Sequence, residues 1–436
     1  MLNDCLATTD ALAGIFSDES VLQAMLDFEA ALARAAVRAG VVPDRAAQTI
    51  SALARAAEFD AAAIARDARH SATPAIPLVK ALIARVASVD PESARYVHWG
   101  ATSQDVSDTA LVLLLQRARS HLAADQARLD DALRAMSDRH AASVMLGRTL
   151  LQPATPTTFG LKAAGWYAPA ARGWRRLNGA WESALVLQLG GAAGTRAAFG
   201  AQAAAIADAL ARDLGLRAAP PWHTDRDRLG TLIGSCGVYT ATLGKIARDI
   251  ALLMQVEVAE AFEPGGGSST MPHKRNPAGC VVAIAAATRM PGLVAAYLTG
   301  MVQEHERAAG GSQAEWPTVS AVVQTAGAAV SSLAAVVEGL TVDTDAMRMN
   351  LEKTGGVVLA ERVVMLLAPQ FGRDRAQQLV MEAVRRSRES GHGFGRSLQE
   401  MPEVSRALAP DVLRDIDRPD LYLGAAEALR KELLSE

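Results

Sequence analysis

The sequence has few aromatic residues and almost no net charge. Aromatic residues make up 4% of the 436 positions although 50% are hydrophobic, so the apolar content is mainly alanine and aliphatic side chains. Strands favour β-branched and aromatic residues, and this composition therefore predicts a helical protein. The formal net charge of −3 leaves no basic excess to neutralise phosphates, which argues against a nucleic-acid partner.

Cysteine is also scarce, and the sequence shows no pattern typical of a targeting segment. Cys5, Cys236 and Cys280 are odd in number and far apart, which disfavours a disulfide framework or a zinc ribbon and fits a cytoplasmic protein. The segment 1–5 shows no basic region followed by an apolar core, so no signal peptide is expected. No apolar run reaches ~18 uninterrupted residues, so no membrane association is expected.

Stretches without proline or glycine predict unusually long helices. Residues 105–139 contain neither, and a helix of ~35 residues would span ~50 Å. Further long helices are predicted at 156–186, 225–262, 276–303 and 317–340, and shorter ones at 18–39 (with Ser17 as N-cap), 44–69, 78–89, 358–367 and 373–390.

These helices predict an all-α fold with three domains. We expect an N-terminal helical domain at 1–104, an elongated central bundle of long helices at 105–341, and a C-terminal helical domain at 342–436. The long helices carry apolar residues on more than one face, which predicts that bundles pack against bundles in an oligomer.

Common cofactor and metal motifs are missing. Gly244-Lys245 lacks the earlier glycine of a phosphate loop, and Gly190-Gly191-Ala192-Ala193-Gly194 lacks the spacing of a dinucleotide site. His305-Glu306 begins like a zinc-binding helix, but position 309 is alanine. We therefore expect neither a metal nor a cofactor.

Three other stretches carry candidate chemistry. The first, 98–110, is either a plain loop with Ser103 as the N-cap of the long helix or a site where His98, Thr102 and Ser103 offer hydrogen-bond donors to a carboxylate. The second, 147–160, is either a proline-marked start of a helix or a source of two substrate donors, Thr149 and Gln152.

The third stretch, 263–277, contains three glycines, two serines, a lysine and an Asn-Pro pair. Gly-rich loops are usually only loops, but this one leads directly into a predicted helix N-terminus, where free N–H groups bind anions. It therefore predicts a loop that closes over an anionic substrate, with Ser268 moving a proton.

These three stretches resemble the fumarase/aspartase superfamily. The third matches the family signature at Gly267-Ser268-Ser269, Met271-Pro272, Lys274 and Asn276-Pro277. The resemblance implies an all-α homotetramer whose active sites are each assembled from three subunits, and proton exchange at a carbon next to a carboxylate. It implies Ser268 and Lys274 as catalytic residues, with Asn276 binding the substrate carboxylate. It also assigns to substrate binding Ser269, Met271, His98, Thr102, Ser103, Thr149, Gln152 and Arg307.

Two departures from the family pattern bear on the reaction. Members that resemble adenylosuccinate lyase carry a histidine where this chain has Leu150, and a glutamate partner where it has Val281. Ring closure by the substrate's own carboxylate needs only one delivered proton, so the departures favour an intramolecular lyase that forms a lactone from a tricarboxylate. A fumarate-releasing lyase and an inactive structural homologue stay open as alternatives.

The tricarboxylate would need several cations. Candidates are Lys274, Arg275, Arg148, Arg307, His98 and His273. For Arg148 and Arg275 a solvated position or a structural ion pair is the favoured interpretation. Arg307 precedes a Gly-Gly pair, in a predicted loop, where a functional role is favoured.

Overall fold

The computed structural model describes residues 2–267, 270–271 and 274–436, and for Asn3 the backbone alone. In these ranges the chain is all-α, as predicted, apart from two small antiparallel sheets. The α-helices are α1 (Asp10–Ile15), α2 (Asp18–Arg38), α3 (Asp44–Leu53), α4 (Ala61–Ser71), α5 (Ala75–Val89), α6 (Ser103–Arg139), α7 (Phe159–Ala184), α8 (Ala203–Asp213), α9 (Asp227–Leu253), α10 (Ala278–Gly300), α11 (Gly311–Glu338), α12 (Thr344–Glu352), α13 (Ala360–Ser390), α14 (Phe394–Gln399), α15 (Pro402–Ala407), α16 (Pro410–Arg414) and α17 (Ala426–Leu434). The strands are β1 (Val144–Thr149), β2 (Gln152–Thr158), β3 (Ala261–Phe262) and β4 (Thr341–Val342).

The five long helices predicted from the sequence are all present, as α6, α7, α9, α10 and α11. The prediction of 225–262 is too long at its C-terminal end, because α9 ends at Leu253 and Ala261–Phe262 form β3. The Ser17 hydroxyl accepts a hydrogen bond from the amide of Ser20 and caps α2, as predicted. Helix α13 is interrupted at Gly372, whose φ of 73° and ψ of 160° are not helical, which agrees with two predicted helices there.

The single helix predicted at 44–69 is wrong, because the chain forms α3 and α4 with a 3₁₀ turn between them. No glycine or proline marks the break. Instead, the Gln23 amide donates to the Ala54 carbonyl and accepts from the Ala56 amide, so a side chain from α2 replaces helical backbone bonds. A contact between distant segments thus overrides local helix propensity.

Most of the stretch 147–160 belongs to a β-hairpin, and only its last two residues, from Phe159, start a helix. Strands β1 and β2 pair with an irregularity between Leu146 and Arg148, where a Cβ on Gly147 would lie 2.3 Å from the Thr155 carbonyl oxygen. Only glycine fits at that point. The predicted helix at 156–186 therefore begins only at Phe159.

The chain forms two compact units. The first comprises 1–127, 173–245 and 282–332, and the second comprises 128–172, 246–281 and 333–436. The boundaries fall inside the five long helices. The second unit includes a buried apolar cluster around Val363, Leu379 and Phe394. The three-domain division stays a prediction.

Two long helices are very apolar. By length and composition alone, α10 and α11 could each cross a membrane. The helices at 344–352 and 357–390, which meet at a bend, would make a third candidate span if they are taken together. Hydropathy therefore does not support the expectation of no membrane segment. Only 22% of the apolar window in α10 is buried within the chain, so this helix presents apolar surface that needs a cover.

Candidate functional site

A cavity of about 640 Å³ lies in the first unit, beside the N-terminus of α6 and the segment that leads into α11. It contains four of the predicted site residues, His98, Thr102, Ser103 and Arg307. Its lining comprises Ser71, Thr73, Ala75, Ile76, Val79, Lys80, His98, Ala101, Thr102, Ser103, Gln104, Ser107, Arg307, Ala308, Ser312, Gln313 and Trp316. Short polar side chains and three basic groups thus surround one space, which suits an anion.

The start of α6 is fixed by the buried carboxylate of Asp105. Its oxygens accept hydrogen bonds from the amides of Thr102, Gly190 and Gly191, and one of them lies 2.8 Å from Nε2 of His223. Ser103 is the first helical residue, so the interpretation of Ser103 as the N-cap is wrong and Thr102 occupies the position before the helix. The hydroxyls of both residues are then held at the cavity by a rigid helix start.

Arg307 closes over those hydroxyls. Its guanidinium donates to Oγ1 of Thr102 at 2.7 Å, to Oγ of Ser103 at 3.2 Å and to Oε1 of Gln104 at 3.3 Å. All three acceptors are uncharged, and no carboxylate pairs with Arg307 in the described part of the chain. The guanidinium therefore keeps a positive charge available to an anion in the cavity.

His98 adds a second positive group. Its Nδ1 lies 2.6 Å from Oε1 of the fully buried Glu29 side chain, and its φ of 58° is unusual for a residue other than glycine. Burial lowers the pKa of His98, but the charge and hydrogen bond of Glu29, together with the charge of Asp105, raise it above its ordinary value. Oε2 of Glu29 has no hydrogen-bond partner among the described residues.

We expect anion binding at this cavity to weaken as the pH rises through the pKa of His98, because only the protonated ring is cationic. Since that pKa is raised in the folded chain, the ion pair stabilises the fold fully below the unfolded-state pKa, and this stabilisation is lost as the pH rises through the folded-state pKa. Glu29→Gln should move the midpoint of a titration of inhibitor binding to lower pH.

Calorimetric titrations of an anionic inhibitor across pH values would measure that midpoint. Glu19→Gln is the matched control, because Glu19 is exposed on the same helix. An unchanged midpoint in Glu29→Gln would contradict the role of Glu29 in setting the charge of His98.

A buried ion triad lies next to this region in the first unit. The Arg226 guanidinium pairs with both oxygens of Asp108 at 2.9 and 3.0 Å and with Glu315 at 2.6 Å, and these side chains are 0–1% exposed. Burial lowers the pKa of Arg226, but the two carboxylates raise it well above its usual range. Gln104, which accepts from Arg307, also donates to Asp108, so the triad supports the cavity wall.

The signature loop belongs to the second unit, and its two serines, Ser268 and Ser269, lie outside the described residues, as does His273. Lys274 and Met271 are exposed, and Asn276 is half-buried. The Asn276 amide donates to the Gly266 carbonyl at 2.7 Å, and a Cβ on Gly266 would lie 1.9 Å from the Asn276 carbonyl oxygen. This close contact explains one of the three glycines.

The expected anion site at the helix N-terminus after Asn276 is already filled by the chain itself. Helix α10 begins at Ala278, and the amides of Gly279 and Cys280 donate to the two oxygens of Glu263 at 2.7 and 3.0 Å. A substrate carboxylate therefore cannot dock on these two amides as the sequence suggested, because an internal carboxylate caps them.

The remaining predicted residues lie at the tip of the β1–β2 hairpin. Thr149 and Gln152 form the last cross-strand pair and are exposed. Leu150 and Leu151 between them both have positive φ, 49° and 63°, in a two-residue turn that normally uses glycine or asparagine. This strained turn occurs where a functional segment was predicted.

The two residues that depart from the family pattern, Leu150 and Val281, are exposed, whereas Arg148, near Leu150, forms an ion pair. Leu150 is 97% exposed and Val281 is 51% exposed. Arg148 forms a two-pronged ion pair with the buried Glu260 at 2.6 and 2.9 Å, which agrees with the structural interpretation favoured for it. Arg275 lies 5.3 Å from the centre of the Phe262 ring.

Sequence reasoning did not select Glu29, Lys80 or Gln104 as site residues. Glu29 carried a usable signal, because it is an acid within the apolar stripe Phe28 to Ala33, where a buried charge needs a partner. Lys80 and Gln104 carried none, since polar residues on helices are usually solvated. Within the described ranges no group of three or more His, Cys, Asp or Glu side chains is placed to hold a metal ion.

Comparison with known proteins defines the class. A family model described as "Lyase" matches residues 5–292, and one described as "Adenylosuccinate lyase C-terminus" matches residues 356–433. The chain belongs to this lyase family, the fumarase/aspartase superfamily, as its signature loop predicted. A crystal structure of fumarate lyase from Mesorhizobium sp. BNC1 matches with a TM-score of 0.90 and 34% identity, covering 98% of each chain.

Particular relatives are more similar still. The 3-carboxy-cis,cis-muconate cycloisomerase of Pseudomonas aeruginosa is 48% identical over 428 residues, which cover 97% of this chain and 93% of the relative. The crystal structure of 3-carboxy-cis,cis-muconate lactonizing enzyme from Pseudomonas putida matches with a TM-score of 0.95 and 44% identity, covering 100% of this chain and 98% of that one. A nitrosuccinate lyase of Streptomyces davaonensis is 41% identical over 95% of this chain and 90% of its own length.

Proposed function

We propose that this chain is an intramolecular lyase that interconverts 3-carboxy-cis,cis-muconate and its carboxymuconolactone in the catabolism of protocatechuate, through the β-ketoadipate pathway. The observation that carries the proposal is the near-full-length identity of 48% to a cycloisomerase of that name. The P. putida lactonizing enzyme supports it with a nearly superimposable fold.

The chemistry of the site agrees with ring closure. One carboxylate of the substrate adds through its oxygen to the double bond, and Ser268 delivers a proton to the carbon next to another carboxylate before it regains a proton from solvent. Lys274 and Asn276 bind the carboxylate that accumulates charge as the bond forms. No leaving group needs a proton, which is consistent with Leu150 and Val281 at the positions of the missing acid–base pair.

The cavity of the first unit suits the remaining carboxylates of such a substrate. Arg307, His98 and Lys80 line it together, and the hydroxyls of Thr102 and Ser103 are held beside the guanidinium. A tricarboxylate carries three negative charges, so several cations spread around one space favour it over a monocarboxylate. Four further residues would also bind the substrate: Thr149, Gln152, Ser269 and Met271.

We further propose a cytoplasmic homotetramer whose active sites each take residues from three subunits. The exposed apolar surface of α10 supports this assembly, because other copies of the chain would cover it without lipid. Light scattering of the purified protein without detergent should give four times the chain mass. A monomer, or a need for detergent, would contradict the assembly.

The reaction is tested by incubating the purified protein with 3-carboxy-cis,cis-muconate and following the loss of its ultraviolet absorbance. We expect loss of the diene with formation of the lactone and no release of fumarate from adenylosuccinate. The reverse outcome would favour the fumarate-releasing lyase, whose C-terminal family model also matches this chain. No turnover of either compound would favour an inactive homologue.

A further inference from the structure

The second unit contains another cavity, of about 870 Å³, and of the candidate site residues only Arg148, already paired with Glu260, lies in its described lining. We call it the hairpin cavity, because Leu146, Arg148, Leu151 and Pro153 of the β1–β2 hairpin form one of its walls. The opposite wall comes from the connection 353–358 before α13 and from 387–393, which comprises the last turn of α13 and the residues that follow it. The Phe394 amide donates to the Gly355 carbonyl and ties these connections together.

The lining carries more positive than negative charge. Lys353, Arg388 and His392 face a single acid in the lining, Glu257, while the charge of Arg148 is taken by Glu260. The Lys353 ammonium bonds only to the Asn350 amide oxygen, at 3.1 Å, and Arg388 has no hydrogen bond or ion pair within the described residues. Nδ1 of His392 is buried without a hydrogen bond, 3.7 Å from Glu400.

The acids near these cations in sequence are engaged elsewhere. Glu389 pairs with Arg385, Glu382 with Arg385 and Arg386, and Glu352 lies 3.6 Å from Arg348. Lys353 and Arg388 are therefore the basic groups left over after the local ion pairs have formed. Their charge is available to an incoming anion.

The walls between the cations are apolar or bare backbone. Leu146, Val258, Val357 and Val358 contribute hydrocarbon, and Gly355 and Gly391 have φ of 60° and 71° with no side chain to fill the space. A small inorganic anion would leave most of the cavity volume of about 870 Å³ empty and would not contact the apolar wall. A hydrocarbon skeleton with carboxylates at two or more places would use both features.

We propose that the hairpin cavity is a second binding site, separate from the site of chemistry, for a small molecule that carries two or three carboxylates. Lys353 and Arg388 would each meet a carboxylate, with His392 as a further donor when protonated. The proposal does not depend on which reaction the first site performs.

The position of the cavity gives the site a route to the reaction. Arg148 and Pro153 are cross-strand partners, and so are Thr149 and Gln152 one step further along. Side chains of successive cross-strand pairs lie on opposite faces of a β-hairpin. The pair Arg148 and Pro153 lines the cavity on one face, so the next pair, the proposed substrate donors Thr149 and Gln152, lies on the other face. A ligand held against this wall would stiffen the hairpin and thereby the segment that carries the two donors.

The test uses the full-length protein and propane-1,2,3-tricarboxylate as the probe, titrated by calorimetry. We expect two classes of site per chain in the unaltered protein. The double variant Lys353→Gln, Arg388→Gln should lose one class, with affinity lowered at least tenfold, because two charged hydrogen-bond donors to the carboxylates are removed. Arg307→Gln should lose the other class.

Arg373→Gln is the matched control, because it removes one charge from an exposed position on α13 outside the cavity. Hydrogen exchange in the Arg307→Gln background should show slower exchange at 144–158 and 353–358 when the probe is bound. Unchanged binding in the double variant, equal loss in Arg373→Gln, or equally tight binding of inorganic phosphate would each overturn the proposal. Turnover of the diene by the double variant is measured in parallel, so that failure of the proposed reaction is seen separately.

Discussion

Replacing Ser268 by alanine is expected to lower kcat by roughly 10²–10⁴-fold, the range for loss of general acid–base catalysis. The reason is that Ser268 is the proposed proton donor, and Leu150 and Val281 occupy the positions where the family resemblance would place a second acid–base pair. Lys274 and Asn276 would still bind the substrate carboxylate. The Michaelis constant should therefore change much less than kcat.

Steady-state rates with 3-carboxy-cis,cis-muconate would measure the effect. Ser88→Ala is a suitable control, because Ser88 is exposed on α5 and, among the described residues, its hydroxyl bonds only to the Arg85 carbonyl of its own helix. Full activity in Ser268→Ala would refute its role in proton transfer. A rise in the Michaelis constant with unchanged kcat would instead make Ser268 a binding residue.

Replacing Arg226 by methionine is expected to destabilise the fold by about 3–5 kcal/mol, the usual result of removing one partner from a buried ion pair. The change leaves Asp108 and Glu315 uncompensated, and both are almost fully buried. Burial and the nearby carboxylate of Asp108 already raise the pKa of Glu315, so without Arg226 its charge would be still more costly. We expect a large drop in the unfolding midpoint, measured at fixed protein concentration.

Adding Asp108→Asn and Glu315→Gln to Arg226→Met should recover part of the lost stability, because it removes the two stranded charges. Arg348→Gln, which removes only two exposed ion pairs on α12, those with Asp345 and Glu352, should leave the midpoint unchanged. If Arg226→Met unfolds at the same midpoint as the unaltered protein, the triad does not contribute to stability as argued.

The long helices could be predicted because their determinants are local. Residues 105–139 lack glycine and proline, and Ser17 caps the helix that follows it. The break between α3 and α4 could not be predicted, since it depends on Gln23 reaching Ala54 and Ala56 from another helix. The hairpin was missed because threonine and proline in a short run fit a helix start as well as an edge strand.

The site shows the same division between local and distant determinants. The family resemblance selected His98, Thr102, Ser103 and Arg307, and the structure places all four around one cavity. Periodicity alone could not have joined Arg307 to Thr102, which lie 205 positions apart. Nor could it show that Glu263 caps α10, because a carboxylate fifteen or more residues before a helix has no standard cap spacing.

The lining of the first cavity has a consequence for how the chain is made. Its residues extend from Ser71 to Trp316, and the ion triad beside it is incomplete until Glu315 has been synthesised. At ordinary elongation rates of about 5–20 residues per second, roughly 10–50 s separate the first lining residue from the last. In the last part of that interval, between the synthesis of Arg226 and that of Glu315, the growing chain carries Asp108 and Arg226 without their third partner. Its yield in the cell should therefore depend on translation speed and on protection of the nascent chain.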